Sequence, residues 1–182
     1  METIVITGKI DDKMSRWVME ILLKALTQLL DVVFCINSGG GDGDEVRSWM
    51  FLMEQLRKAG HPVTTVCVGY AGSAAAMLLA GGAKGHRFII PDGEVMIHHG
   101  VRTNTMRSLK DSSKGHVERE EERYLRMYMF IAGCTKEQAL TWLDGKDYFM
   151  NAEEALDNGL VDQIGFPAFL VGKEESDDGY DG

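Results

Sequence analysis

The chain has 182 residues, of which 45% are hydrophobic and 26% are charged, and this composition is typical of one globular domain. A domain of this length buries about 70% of the surface of its unfolded chain, so it needs neither a disulfide nor a metal to fold. The net charge is −9 and no cluster of basic residues offsets it, which excludes nucleic acid as an expected partner.

The cysteines and the apolar runs exclude further classes. Cys35, Cys67 and Cys134 are far apart and show no CxxC or Cys/His spacing, so we expect no disulfide framework, metal site or cofactor. The longest apolar run, residues 74–83, is too short to span a membrane. The first residues alternate like a strand and lack the basic start of a signal peptide, so we expect a cytoplasmic protein.

Segments with strand and helix periodicity alternate along the chain. Strands are predicted over residues 3–7, 31–37, 63–68, 86–90, 94–98 and 160–164. Helices are predicted from Asp12, over 44–58, from Ser73, over 112–132, from a cap at Thr135, and over 152–158 after a cap at Asn151. This alternation predicts a single α/β domain with largely parallel strands over residues 1–166. Residues 167–182 have too little apolar content to pack, and we expect an acidic, mobile tail.

A glycine-rich segment follows the second predicted strand, at Asn37-Ser38-Gly39-Gly40-Gly41. Three glycines without Cβ atoms allow backbone N–H groups to approach a ligand oxygen closely. The same residues also suit a tight connection from a strand to a helix. On this segment alone, the binding and the structural interpretations are equally good.

Ser73 stands at a second strand–turn–helix junction. Its hydroxyl is predicted either to cap the helix or to act as an exposed nucleophile, with the N–H group of Ala74 holding the oxyanion. A serine nucleophile needs a histidine base and a group that orients it. His98 and His99 end a predicted strand on opposite faces, and the residues alone do not choose between Asp144 and Asp147 as the acid.

Six segments, taken in order, resemble the ClpP serine peptidase family. They lie at residues 36–41, 69–73, 83–88, 95–98, 149–155 and 159–162, so the resemblance covers about residues 4–164. It implies a crotonase-like spiral of ββα units and assembly into seven-membered rings that stack around a proteolytic chamber. The charged helix predicted over 112–132 corresponds to the family's handle, which packs rings together.

The resemblance also implies a role for individual residues. The family's nucleophile falls on Ser73, its base on His98 and its acid on Asp147 rather than Asp144. Its oxyanion donors fall on the backbone N–H groups of Gly41 and Ala74. No metal or organic cofactor takes part. Lys146 stands where the family has a basic residue that pairs across the interface between rings.

Three departures from the family's pattern bear on substrate and partners. Gly39-Gly40-Gly41 replaces a Pro-Gly-Gly turn, and residues 99–105 replace a glycine-rich strand that holds the substrate. Met1 lies two residues before the first predicted strand, which leaves no segment to form axial pore loops. Those loops couple the family to an AAA+ unfoldase driven by ATP, so their absence argues against that partner and favours entry of unfolded chains without it.

The sequence therefore predicts a serine endopeptidase that hydrolyses peptides and unfolded proteins inside a homo-oligomeric ring. Three alternatives stay open: a phage-type maturation or processing protease on the same fold, a catalytically idle ring subunit, and an acyl-CoA enzyme of the crotonase type. The last two need no nucleophilic serine. Labelling by a fluorophosphonate therefore separates them from a peptidase.

Overall fold

The structure is a computed structural model that describes residues 1–98 and 111–170. Its strands are β1 (Glu2–Ile10), β2 (Val32–Gly41), β3 (Thr64–Gly72), β4 (Arg87–Ile89), β5 (Glu94–Ile97), β6 (Tyr148–Met150) and β7 (Gln163–Ile164). Its α-helices are α1 (Asp12–Gln28), α2 (Gly43–Lys58), α3 (Ala74–Ala80), α4 (Asp111–Ala132), α5 (Lys136–Trp142) and α6 (Ala152–Asp157), and a 3-10 helix spans Ala168–Leu170.

The described strands form one sheet whose main path runs β1-β2-β3-β4-β7, with every pair on this path parallel. β3 is shared between two neighbours. Its first part pairs with β4, and its last residues pair with β5, with Gly72 opposite Met96. β6 then adds antiparallel to β5. The mixed α/β architecture predicted from the sequence is confirmed.

The core lies where α1, α2 and α3 pack against the sheet. Phe34 of β2 stacks on Trp49 of α2 with ring centroids 6.5 Å apart, and both side chains are fully buried. All seven residues of α3, with the sequence AAAMLLA, are buried. Four alanines let this short helix pack close to β2 and β3 at the centre of the domain, which fixes the position of the residue before it.

The predicted helix caps at Thr135 and Asn151 are confirmed. Each side chain accepts a hydrogen bond from the backbone N–H group three residues further along. The side chain of that later residue accepts a hydrogen bond from the backbone N–H of the cap, which completes a capping box. Asp11 and Asp42 also cap α1 and α2, and the side chain of each accepts hydrogen bonds from two backbone N–H groups.

Two predicted connections turned out to be strand. β2 continues through Gly41 and β3 through Gly72, because Gly41 pairs with Ile10 of β1 and the end of β3 pairs with β5. The last strand is shorter than predicted. The N–H groups of Leu160 and Val161 bond back to the carbonyl oxygen of Ala155, so pairing with β4 begins only at Gln163.

Two predicted features fall largely outside the described residues. The stretch 99–105, which departs from the family's glycine-rich strand, lies wholly outside them. Of the predicted acidic tail at 167–182, only residues up to 170 are described, and they include the 3-10 helix.

A buried ion pair joins β4 to the segment that follows α6, and the same arginine also bonds to the last turn of α4. Arg87 is 1% exposed, and its Nε and Nη2 donate to the two carboxylate oxygens of Asp162 at 2.9 and 2.5 Å. Its Nη1 donates to the carbonyl oxygens of Ile131 and Gly159, both at 2.8 Å. Burial by itself would raise the pKa of Asp162, but the hydrogen bonds and charge of Arg87 lower it overall.

Replacing Arg87 by methionine should lower the free energy of unfolding by about 3–5 kcal/mol, because the largely buried carboxylate of Asp162 loses its cation and the carbonyl oxygens that Arg87 bonds lose a donor. The whole of this difference in unfolding free energy between the parent chain and the variant should be present at neutral pH. Because the folded-state pKa of Asp162 lies below its ordinary value of 3.8, the difference should shrink as the pH falls through that lowered pKa. Urea unfolding at several pH values measures this.

Arg57→Met is the matched control, since Arg57 pairs with Glu54 on the surface, with 53% of its side chain exposed. It should shift the urea midpoint far less than Arg87→Met. Equal shifts for the two variants would show that the buried pair has no special role.

Candidate active site

The backbone at Ser73 adopts a conformation that non-glycine residues rarely take, with φ +54° and ψ −120°. It is held there from both sides. Its N–H group donates to the carbonyl oxygen of Met96 at 2.7 Å, and its own carbonyl oxygen accepts from Ala76 and Met77 in α3. The Ser73 hydroxyl makes no capping bond, so it does not serve as the helix cap that the sequence also allowed.

The hydroxyl of Ser73 instead faces a histidine. Its Oγ lies 2.7 Å from Nε2 of His98, which is a hydrogen-bonding distance. The pairing follows from the sheet, because Gly72 lies opposite Met96 and the two strands run parallel. Ser73 and His98 each come directly after the last residue of their own strand, β3 or β5, and therefore meet at one edge. The other candidate, His99, lies outside the described residues.

Asp147 is the candidate acid that lies beside His98. Its Oδ1 is 3.7 Å from Nδ1 of His98, and the two side chains are 59% and 28% exposed. Ile97 pairs with Tyr148 across β5 and β6, which brings the residue after β5 next to the residue before β6. Asp144 has a local role instead, since it accepts the backbone N–H of Lys146 at 3.0 Å.

The glycine-rich segment packs directly against Ser73. A Cβ atom on Gly40 would lie 2.4 Å from the carbonyl oxygen of Gly72 and 2.9 Å from the Cβ of Ser73. Gly40 also has φ +93°, which disfavours any side chain. Close approach to Ser73 therefore requires a glycine here, and the segment is more than a connection between a strand and a helix.

A cavity of about 330 Å³ opens beside the side chains of Ser73 and His98. Gly41 and Ala74, the predicted oxyanion donors, line it together with Ser73 and His98. The remaining lining residues are Asp42, Gly43, Asp44, Met77, Tyr124 and Tyr128. Neither tyrosine was expected at the site from the sequence, because the family resemblance assigned their helix to assembly. Their spacing of four residues, which aligns them on one helix face, was the available signal.

Within residues 1–98 and 111–170, no group of three His, Cys, Asp or Glu side chains is arranged to hold a metal ion. In the same ranges, no helix combines the length and the hydropathy that crossing a bilayer requires.

The sequence profile of the Clp protease family matches residues 1–168. The chain belongs to the Clp protease family. It is also similar to the ATP-dependent Clp protease proteolytic subunit 1 of Corynebacterium glutamicum, with 35% identity over 169 residues that cover 90% of this chain and 79% of that protein. The family resemblance read from the sequence is thereby confirmed, and the chain is a serine endopeptidase of the Clp type.

Replacing Gly40 by alanine should lower the peptidase activity of this Clp-family chain by roughly 100-fold. A new Cβ would push on the backbone that carries Ser73, and a displacement of about 1 Å in a reacting group has a cost of this order. The turnover of a fluorogenic peptide measures it.

Gly39→Ala is the matched control. A Cβ at Gly39 would meet no atom within 4 Å, and its φ lies outside the left-handed region. Its activity should stay close to that of the parent chain. Similar losses in both variants would indicate that general loosening of the segment, rather than contact with Ser73, is responsible.

Proposed function

We propose that the chain hydrolyses peptides and unfolded proteins with a Ser73–His98–Asp147 triad, inside the chamber of a homo-oligomeric ring. The observation that carries the chemistry is the 2.7 Å separation between Ser73 Oγ and His98 Nε2. A serine hydroxyl is a weak nucleophile unless an adjacent base takes its proton as the new bond forms. Acyl transfer to Ser73 is the reaction that this contact supports.

In the proposed reaction, Ser73 Oγ bonds to the carbonyl carbon of the substrate while His98 Nε2 takes its proton. His98 then returns that proton to the leaving amine, and water hydrolyses the acyl-enzyme by the same route. For Nε2 to accept a proton, Nδ1 must carry the ring hydrogen and direct it towards Asp147. The gap of 3.7 Å has to close by roughly 1 Å for that bond to form, as catalytic hydrogen bonds often do when substrate binds.

The negative charge that develops on the substrate oxygen needs fixed donors. We assign this role to the backbone N–H groups of Gly41 and Ala74, two residues that line the cavity together with Ser73. Both belong to backbone that is held from elsewhere, Gly41 by pairing with Ile10 and Ala74 by the buried helix α3. Donors fixed in advance lose little freedom when the charge appears.

The triad is tested by Ser73→Ala and Asp147→Asn. Ser73→Ala should abolish labelling by a fluorophosphonate and reduce peptide hydrolysis by several orders of magnitude, because the nucleophile is gone. Asp147→Asn should label slowly and lower kcat by orders of magnitude, since the imidazole loses the partner that holds its tautomer. Mass spectrometry of the labelled chain and steady-state kinetics provide the two readings.

Two substitutions of the same kind serve as controls. Ser48→Ala removes an exposed hydroxyl of α2 that bonds to the Asp44 carbonyl oxygen of its own helix, and Asp144→Asn keeps an acceptor for the Lys146 N–H. Neither should change activity by more than about threefold. A folded Ser73→Ala variant that stays active, or equal losses in Asp144→Asn and Asp147→Asn, would contradict the assignment. An unlabelled parent chain would favour the idle-subunit or acyl-CoA alternatives.

Ring assembly is the second part of the proposal, and exposed apolar side chains support it. Phe130 of α4 is 86% exposed and Phe51 of α2 is 65% exposed. Phe130 also lines a cavity of about 480 Å³ together with Met50 and Ile131. Apolar surface of this kind marks a contact with another protein, and a second copy of the chain is the partner proposed here.

Light scattering at micromolar concentration should therefore give a mass several times the 20.2 kDa of one chain. Phe130→Glu should shift the distribution towards the monomer, because a carboxylate replaces apolar contact area. Leu140→Glu is the control, as an exposed leucine of α5 that does not line this cavity. A parent chain that runs as a sharp monomer would rule out the enclosed chamber and leave the triad untouched.

A further inference from the structure

The cavity beside Ser73 is lined by both polar and apolar residues. Its apolar contribution comes from Ala74 and Met77 of α3, and its polar side chains include Asp42 and Tyr128. The triad already accounts for Ser73 and His98. Asp42 and Tyr128 have no part in the triad, and the substrate groups that they bind would affect which peptide bonds are cut.

Tyr128 is a buried residue of α4 whose hydroxyl has no hydrogen-bond partner among the described residues. The residue is 2% exposed, and its ring is fixed edge-on against Trp142 with centroids 6.1 Å apart. No described residue hydrogen-bonds its hydroxyl, yet the described residues include no fully buried polar side-chain atom that lacks a partner. The hydroxyl therefore reaches the cavity that Tyr128 lines. Burial raises the pKa of Tyr128, so the group keeps its proton and can both donate and accept.

Asp42 adds a negative charge at the same cavity. Its Oδ1 accepts the N–H groups of Asp44 and Glu45 as the cap of α2, while no described residue donates to Oδ2. The neighbouring carboxylate of Asp44 is offset by an ion pair with Arg47, whose guanidinium lies over the Tyr124 ring at 5.7 Å. Asp42 is therefore the carboxylate whose charge faces the cavity without a cation beside it among the described residues.

We propose that this cavity selects the substrate residue whose carbonyl carbon is attacked, and that it prefers a long side chain ending in N–H donors. The proposal rests on Ser73 being the nucleophile. The expected order is lysine, then glutamine, then leucine, with glutamate last. An apolar side chain would strip water from Tyr128 and Asp42 without replacing its hydrogen bonds, which costs more than the burial of a few methylene groups returns. A carboxylate would be repelled by Asp42.

The test uses four peptides with a coumarin amide leaving group that differ only in the residue before it: lysine, glutamine, leucine or glutamate. In the parent chain, kcat/KM should be about tenfold or more higher for glutamine than for leucine, and higher still for lysine. Tyr128→Phe should lower the glutamine-to-leucine ratio about tenfold. Because both peptides are measured on the same variant, partial unfolding cancels from the ratio.

Asp42→Asn separates the charge from the cap, since asparagine caps a helix about as well as aspartate. It should lower the lysine-to-glutamine ratio to near one. Asp11→Asn is the matched control, because Asp11 caps α1 through the same two kinds of N–H bond and does not line this cavity. It should leave both ratios as in the parent chain.

The outcomes distinguish this inference from the proposed function. If the fluorophosphonate labels Ser73 but leucine is the best substrate, or the ratios do not respond to Tyr128→Phe and Asp42→Asn, the selectivity is overturned and the triad stands. If the parent chain is neither labelled nor active on any of the four peptides, the proposed function fails and the selectivity fails with it.

Discussion

The strained backbone of Ser73 is the constraint on which the rest of the site depends. A positive φ at a residue with a side chain is unfavourable by roughly 1–3 kcal/mol, so the surrounding structure has to hold it. Here the hold is the bond from the Ser73 N–H group to Met96, the start of the buried helix α3, and the bare Cα of Gly40. With the backbone in this conformation, the hydroxyl makes no capping bond to α3 and lies 2.7 Å from His98 Nε2.

The sheet explains why the other groups arrive at the same place. β3 has two consecutive neighbours on the same side, β4 for its first part and β5 for its last residues, so β5 runs beside the point where β3 ends. β6 then returns antiparallel to β5. Parallel pairing brings His98 to Ser73, and antiparallel pairing brings Asp147 to His98. The buried pair of Arg87 and Asp162 holds β4 to the segment that follows α6.

The walls of the cavity have a different origin from the edge where Ser73 and His98 meet. Gly41 and Asp42 come from the end of β2 and the cap of α2, while Tyr124 and Tyr128 come from α4, more than 80 residues later. Gly43 has no side chain where the Tyr124 hydroxyl approaches, since a Cβ there would lie 2.6 Å from it. Small residues at the start of α2 therefore let α4 approach, and the polarity of the cavity depends on that contact.

Local signals in the sequence determined many of the secondary-structure elements of this protein and the position of Ser73 between a strand and a helix. The capping residues Thr135 and Asn151, the buried strands, the glycines beside Ser73 and its strand-to-helix junction are visible because each depends on neighbours within a few residues. The ordered motifs also identified the family. The family resemblance pointed to Asp147, but the residues by themselves left Asp144 equally open, because the contact with His98 follows from the pairing of Ile97 with Tyr148, 51 positions apart in the chain. Tertiary structure alone decided that the glycine segments are strand ends and that Tyr128 faces the cavity, since both depend on partners remote in sequence.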